Sequence, residues 1–247
     1  MKYFNTAGPC RPEKHYMLPA LTRLNEQVDI ARLIQQEAYF VMHAPRQIGK
    51  TTAMQELARI LTASGKYVAV LLSMEVGSPF SADPQKAERA IVDQWRETIQ
   101  AQLPMVLRPT QWLPVANEGN LLGRFLSGWA SELSLPLVVF LDEIDALQNE
   151  SLLSVLRQLR SGYNYRPNAF PSSHALISLR DVRDYKIASG GKDRLVSSSP
   201  FNIAVRSLTL RNFNAQEVST LLLQHTAETG QSFTEEALQL VFELTQG

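Results

Sequence analysis

Cysteine is nearly absent from the sequence: Cys10 is the single cysteine among 247 residues. One cysteine cannot form an internal disulfide, which is typical of a protein kept in a reducing compartment. Long apolar runs are missing as well, because no stretch approaches the roughly 18 residues that a membrane-spanning helix needs. The first residues also lack the apolar segment of a signal peptide. We therefore expect a cytoplasmic protein that does not enter a membrane.

The sequence has no excess charge of either sign, since 24 lysines and arginines balance 24 aspartates and glutamates. A basic excess would indicate a nucleic-acid partner, so the composition gives no evidence for nucleic acid, although it does not exclude a local basic patch. Apolar residues make up 45% of the chain. A chain of this length and composition can form one large α/β domain, or a core with a small lid.

A phosphate-binding pattern follows the first apolar run, Tyr39–Met42, and precedes a stretch with apolar residues at helical spacing. Strand, glycine-containing loop and helix in this order are typical of the P-loop, or Walker A motif. The predicted nucleotide-binding residues are Ala44, Pro45, Arg46, Gln47, Ile48, Gly49, Lys50, Thr51 and Thr52. Backbone amides and the Lys50 ammonium suit a polyphosphate, and the Thr51 hydroxyl suits Mg²⁺. Ala44 stands where the motif usually has its first glycine, and a chance Gly-Lys-Thr at an ordinary turn is the alternative.

An acidic motif ends the most apolar run, Leu135–Leu141, as Asp142-Glu143-Ile144-Asp145. A carboxylate at the end of a strand neighbouring the P-loop strand commonly holds Mg²⁺ (the Walker B position), and we assign this role to Asp142. Glu143 is then placed to activate the attacking water. Asp145 has two open roles, capping the next segment or binding a basic partner. A solvated acidic turn without a ligand is the alternative for the whole motif.

A third polar position follows the apolar run Ala175–Leu179, where Arg180 comes directly after the predicted strand. An arginine at this edge of the sheet could neutralise charge that develops on the transferred phosphoryl group. We therefore include Arg180, with Glu143, among the predicted catalytic residues. A surface arginine without a catalytic role is the alternative.

Apolar runs of strand length alternate with helical patterns along the chain, which predicts a three-layer α/β fold with a mainly parallel central sheet. The predicted strands are Tyr39–Met42, Tyr67–Ser73, Leu135–Leu141, Ala175–Leu179 and Ser207–Leu210. With the P-loop, this pattern indicates a P-loop NTPase core at residues 21–210. Residues 1–20 contain several prolines and aromatic residues, and we expect them to form an arm that packs on the core, close to the nucleotide base.

The segments APRQIGKTT, LVVFLDEID and SLRD together resemble the AAA-type ATP-binding proteins of prokaryotes, in particular the AAA-like domains related to the STAND and archaeal ATPase groups. The resemblance covers most of the chain but is specific only at the first two motifs. It implies binding of ATP rather than GTP. It also implies that residues 211–247 begin a helical lid that is incomplete, as if the chain were cut inside a longer protein.

The leading hypothesis is a Mg²⁺-dependent ATPase that acts as a switch or motor for an attached domain or partner, and that turns over slowly as an isolated domain. A nucleotide-binding regulatory or scaffold domain with little turnover is the first alternative, and a small-molecule kinase is another. Glu143 favours hydrolysis over both. The expected partners are ATP or ADP, a second copy of the chain in a homo-oligomer, or a missing C-terminal effector domain.

Overall fold

The computed structural model describes residues 1–6, 8–23, 30–114, 117, 119–179 and 204–247. Five strands and seven α-helices occur in this part of the chain. The strands are β1 (Tyr39–His43), β2 (Val68–Ser73), β3 (Leu137–Asp142), β4 (Ser173–Ser178) and β5 (Ala204–Thr209). The helices are α1 (Ile30–Gln35), α2 (Lys50–Ala63), α3 (Pro84–Gln102), α4 (Leu121–Glu132), α5 (Asn149–Gly162), α6 (Ala215–Thr229) and α7 (Glu235–Thr245).

The strands form one sheet in the order β2-β3-β4-β1-β5, and every pair is parallel. This confirms the predicted P-loop NTPase fold with its parallel sheet. One expectation was wrong, because the strand that ends at Asp142 does not neighbour the P-loop strand. Strand β4 lies between β3 and β1. Parallel strands are joined by crossover segments, so the order along the chain does not determine which strands are adjacent in space.

Side chains alternate between two apolar layers, one on each face of the sheet. Val41 of β1 and Val139 of β3 belong to the layer that is covered by α3, α4 and α5. Met42 and Phe140, the next residue of each strand, belong to the layer that is covered by α1 and α2. Because successive strand residues point to opposite faces, a strand buried on both sides is apolar throughout. The continuous apolar runs of the sequence follow from this arrangement.

The carboxyl ends of the parallel strands lie at the same end of the sheet. In the strand register His43 pairs with Ser178, and Ser73 pairs with Asp142. The loop after β1, the acidic residues after β3 and the end of β4 therefore lie at this carboxyl end of the sheet. Parallel α/β proteins bind ligands outside the carboxyl ends of their strands.

The N-terminal arm lies against α6. The backbone of Met17 exchanges two hydrogen bonds with the side chain of Gln224, at 3.3 and 3.0 Å. The Lys2 amide donates to Glu228 at 2.8 Å. The Cys10 amide donates to the Thr52 hydroxyl at 3.1 Å, so the arm also contacts the first turn of α2. No helix in the described ranges has the length and apolar character required to cross a membrane.

Candidate functional site

The loop between β1 and α2 contains two residues in the left-handed region of backbone conformation, Gln47 with φ of 64° and Gly49 with φ of 94°. Glycine adopts such a φ without steric cost, which explains why this residue type precedes α2. The Lys50 ammonium lies back over the loop and donates to the carbonyls of Ala44 and Pro45 at 2.7 and 2.8 Å. Burial lowers the pKa of Lys50, while the nearby carboxylates of Asp142 and Asp145 act in the opposite direction.

The loop and the acidic motif meet at a direct contact between side chains. The Thr51 hydroxyl donates to Oδ2 of Asp142 at 2.7 Å, although the two residues are far apart in sequence. Asp142 is buried, with 6% of its surface exposed. Burial raises the pKa of the Asp142 carboxyl, and the hydrogen bonds from Thr51 and from the Glu143 amide act against this rise. Two oxygen ligands of the kind that Mg²⁺ prefers are therefore adjacent.

Glu143 follows Asp142 in the left-handed region, with φ of 57°, and its side chain turns toward β2. The Ser73 hydroxyl donates to Oε2 of Glu143 at 2.9 Å. Burial raises the pKa of Glu143, and the bond from Ser73 lowers it. Sequence reasoning did not include Ser73. Its position at the end of an apolar strand, like that of Asp142, was the available signal.

Two predicted residues remain, Asp145 at the acidic motif and Arg180 after β4. Oδ2 of Asp145 accepts the Leu179 amide at 3.3 Å, and the negative charge of Asp145 opposes the lowering of the Lys50 pKa by burial. Asp145 therefore joins the acidic loop to the end of β4. Its two predicted roles, capping the next segment and binding a basic partner, stay predictions. Arg180 comes directly after Leu179 but lies outside the described residues, so its role stays a prediction.

A cavity of about 560 Å³ opens beside the loop. Its walls come from the P-loop, the N-terminal arm, Arg23 and the beginning of α6. The residues that line it are Phe4, Asn5, Thr6, Gly8, Pro9, Cys10, Tyr16, Met17, Leu18, Arg23, Gln47, Ile48, Gly49, Lys50, Thr51, Thr52, Phe213 and Leu221. A cavity of this size is in the usual range for small-molecule and cofactor sites. Sequence reasoning missed Arg23 and Phe213, because no local pattern connects them to the P-loop.

The chemistry of these residues fits a polyphosphate with a magnesium ion. Gly49, at the N-cap of α2, has no side chain that could bond the first amides of the helix. The unpaired amides and the positive end of a helix attract phosphate. Thr51 and Asp142 supply a hydroxyl and a carboxylate side by side, and Lys50 supplies a positive charge at the same loop. These groups together supply what the binding of a polyphosphate at a P-loop requires.

No protein-family model and no curated protein matches the chain. Among solved structures, a DNA replication initiation factor has a TM-score of 0.51 and 12% identity, over 88% of this chain and 55% of its own. Cdc6p from Pyrobaculum aerophilum has a TM-score of 0.54 and 12% identity, over 86% of this chain and 50% of its own. The chain thus spans about half the length of these two structures. The similarity shows the fold alone, a P-loop NTPase fold with a parallel central sheet.

Proposed function

We propose that the chain is an ATPase module that binds ATP with Mg²⁺ at the P-loop and hydrolyses it. The observation that carries the proposal is the 2.7 Å hydrogen bond between Thr51 and Asp142. It joins the hydroxyl of the phosphate loop to a carboxylate of the acidic motif, which is the pairing that a magnesium ion requires beside a nucleotide. A Gly-Lys-Thr turn or an acidic turn without a ligand would not need this contact.

Each residue has a distinct task in the proposed reaction. The loop amides and Lys50 bind the phosphates, and Thr51 and Asp142 hold the magnesium ion, which neutralises phosphate charge when bound. The Glu143 carboxylate orients the attacking water and accepts its proton. We assign to Arg180 the task of neutralising charge on the transferred phosphoryl group. The small-molecule kinase alternative is weaker, because Glu143 stands beside Asp142, where it serves a water nucleophile.

The finer assignment rests on the sequence motifs. We propose that the chain is an AAA-like domain related to the STAND and archaeal ATPase groups, and that it acts as a switch or motor for an attached domain or partner. One of the similar structures is a DNA replication initiation factor. We do not extend that role to this chain, because its basic and acidic residues balance at 24 each.

A titration with a fluorescent ATP analogue tests the proposed site. Wild-type protein is expected to bind the analogue more tightly with Mg²⁺ than with a chelator. Lys50→Ala is expected to weaken binding by about 10- to 100-fold, since hydrogen bonds to charged groups contribute about 1.5–3 kcal/mol. Lys66→Ala is the matched control, because Lys66 is an exposed lysine between α2 and β2. Equal affinity in the wild type and Lys50→Ala would contradict the site.

The scaffold alternative has one observation in its favour, the hydrogen bond that holds Glu143 against Ser73. A carboxylate held in this way is slower to serve as a base, so the chain could keep ATP bound with little turnover. Phosphate release under conditions of full nucleotide occupancy decides between the two functions. Occupancy without release would favour the scaffold.

A further inference from the structure

Arg23 is a buried arginine that contacts both the P-loop and the segment that leads into α6. Only 3% of its surface is exposed. One terminal nitrogen donates to the Ile48 carbonyl at 2.6 Å, and the other donates to the Arg211 carbonyl at 3.2 Å. The guanidinium carbon lies 4.1 Å from the centre of the Phe213 ring. One side chain therefore links three segments that are distant in sequence.

On the P-loop side, the bond to Ile48 determines how the next peptide group is oriented. A trans peptide places its carbonyl and its N–H on opposite sides of the bond. The contact of Arg23 with the Ile48 carbonyl therefore sets the direction of the Gly49 N–H, one of the amides at the start of α2. The approach is close, because a Cβ added to Gly49 would lie 3.0 Å from the Arg23 guanidinium. Arg23 thus fixes the orientation of the phosphate-binding backbone from the neighbouring wall of the cavity.

On the other side, Arg23 is tied to the beginning of α6. The Arg211 amide donates to the Arg23 carbonyl at 2.9 Å, in addition to the contact with the side chain. Arg211 forms a forked pair with Glu217, at 2.6 and 2.9 Å. Glu217 also closes the capping box of α6 with Asn214. The chain from Arg211 to the first turn of α6 is therefore connected by hydrogen bonds, and Arg23 bonds its first residue, Arg211.

The burial of Arg23 costs free energy. An apolar residue that only filled the same space would therefore stabilise the fold more. Its Nε has no hydrogen-bond partner in the described part of the chain. Burial also lowers the pKa of the guanidinium. A buried charge that is incompletely paired commonly costs more free energy than an apolar residue of similar volume. The planar fork of arginine, however, can reach two carbonyls and stack on a ring at once, which lysine and methionine cannot do.

We propose that Arg23 is a positioning residue that couples the P-loop to α6, so that phosphate bound at the loop changes the position or order of α6. The inference rests on the proposed nucleotide site, and it adds a route by which nucleotide bound there would affect α6. The coupling has a physical basis, because a ligand that orders the Gly49 amide also restrains the Ile48 carbonyl and, through Arg23, the Arg211 carbonyl. Leu221 of α6 lines the same cavity, so a shift of α6 alters the site in return.

Amide hydrogen exchange with and without saturating Mg²⁺ and a non-hydrolysable ATP analogue tests the coupling. In the wild type, the analogue is expected to slow exchange both in the first turn of α2 and in α6. In Arg23→Met, the change at α2 is expected to persist while the change at α6 is lost. The affinity for the analogue should fall by about tenfold, because the loop amides are less well oriented. Arg23→Lys should keep part of the α6 response, since it retains the charge but not the fork.

Arg166 provides the matched control. Its guanidinium also bonds backbone carbonyls and stacks on a ring, that of Tyr163 at 3.6 Å, but away from the cavity. Arg166→Met is expected to lower stability while leaving the α6 response intact. A wild-type response of α6 in Arg23→Met would overturn the coupling. If the wild type shows no change at α2 either, the proposed nucleotide site itself is wrong.

A second variant covers the case in which Arg23→Met does not fold. Phe213→Leu removes the ring from one side of the guanidinium and leaves Arg23 and the P-loop unaltered. It is expected to reduce the α6 response when the analogue is present at a concentration that saturates the variant. A full α6 response in Phe213→Leu would count against the coupling in that case.

Discussion

Burial shifts the pKa of each charged residue of the candidate site toward the neutral form, and hydrogen bonds or opposite charges nearby oppose that shift. Burial raises the pKa of Asp142 and of Glu143, and it lowers the pKa of Lys50. Asp142 and Lys50 favour each other's ionisation, since each is a source of opposite charge for the other. A protein gains little stability from such a cluster, so opposed charges in a partly buried cleft indicate a functional site.

Loss of the Glu143 carboxylate should affect turnover, whereas loss of the Asp142 carboxylate should affect the binding of Mg²⁺ and nucleotide. Glu143→Gln is expected to keep ATP affinity while lowering turnover by roughly 10²–10⁴-fold, since it removes only the base. Asp142→Asn should weaken Mg²⁺ and nucleotide together, since it removes a ligand charge. Phosphate release and nucleotide titration on the same samples separate the two effects. Glu150→Gln, an exposed glutamate at the start of α5, is the control. Unchanged turnover in Glu143→Gln would exclude Glu143 as the base.

Ser73 should tune the same carboxylate. Its hydroxyl stabilises the charged form of Glu143 and so lowers the pKa that burial raises. Ser73→Ala removes this bond, so the pKa of Glu143 rises. Because the base works as the carboxylate, activity appears as pH increases through that pKa, and the acid limb of the pH–rate profile should move to higher pH. Ser131→Ala on α4 serves as the control. A profile that stays in place, or moves to lower pH, would contradict the role of Ser73.

At the scale of elements, the strands and most helices were predictable because each carries its own signal. Strand β3 is a continuous apolar run, and α6 starts at the capping pair Asn214 and Glu217. The order of the strands has no such local signal, because crossover connections allow several neighbours for each strand. The same holds for Arg23, whose partners Ile48 and Arg211 are set only by the folded chain. The meeting of the P-loop with Asp142 was predictable, because the chemistry proposed for this site requires fixed residue types.

Glu88 of α3 illustrates a contact between elements that no local pattern indicates. Its side chain is fully buried and accepts the Leu121 amide at 2.8 Å, so it caps α4 from another helix. It also accepts from Ser154 and Gln158 of α5, at 2.7 and 2.6 Å. One carboxylate thereby joins α3, α4 and α5 on the face of the sheet away from the P-loop helix. Its removal would leave several buried donors without a partner.

Glu88→Ala is therefore expected to lower the free energy of unfolding by about 3–5 kcal/mol, because each buried donor left without a partner costs about 1–3 kcal/mol. Urea denaturation followed by circular dichroism measures the change. Glu97→Ala is the control on the same helix, because Glu97 is exposed and its loss should alter stability by about 0.5 kcal/mol or less. A loss below about 1 kcal/mol for Glu88→Ala would show that α4 does not depend on this cap.

At the scale of the whole molecule, α7 presents apolar side chains that the rest of the described chain leaves uncovered. Leu240 and Leu244 are 53% and 76% exposed, and they lie one turn apart on one side of the helix. No residue of α7 is buried. Exposed apolar patches commonly mark surfaces where proteins associate. A second copy of the chain is the partner that we expect at this surface.

We expect the chain to associate through this surface, with a rate of ATP hydrolysis per subunit that rises with protein concentration. An arginine supplied by a neighbouring subunit can raise phosphoryl-transfer rates by about 10³–10⁵. The measurement is specific activity together with mass by light scattering, from nanomolar to tens of micromolar protein. The double variant Leu240→Ser/Leu244→Ser should remain monomeric and slow. Met105→Ser/Val106→Ser is the control, because these residues are 81% and 83% exposed on another surface. A monomeric wild type with a constant rate per subunit would rule out association of this chain.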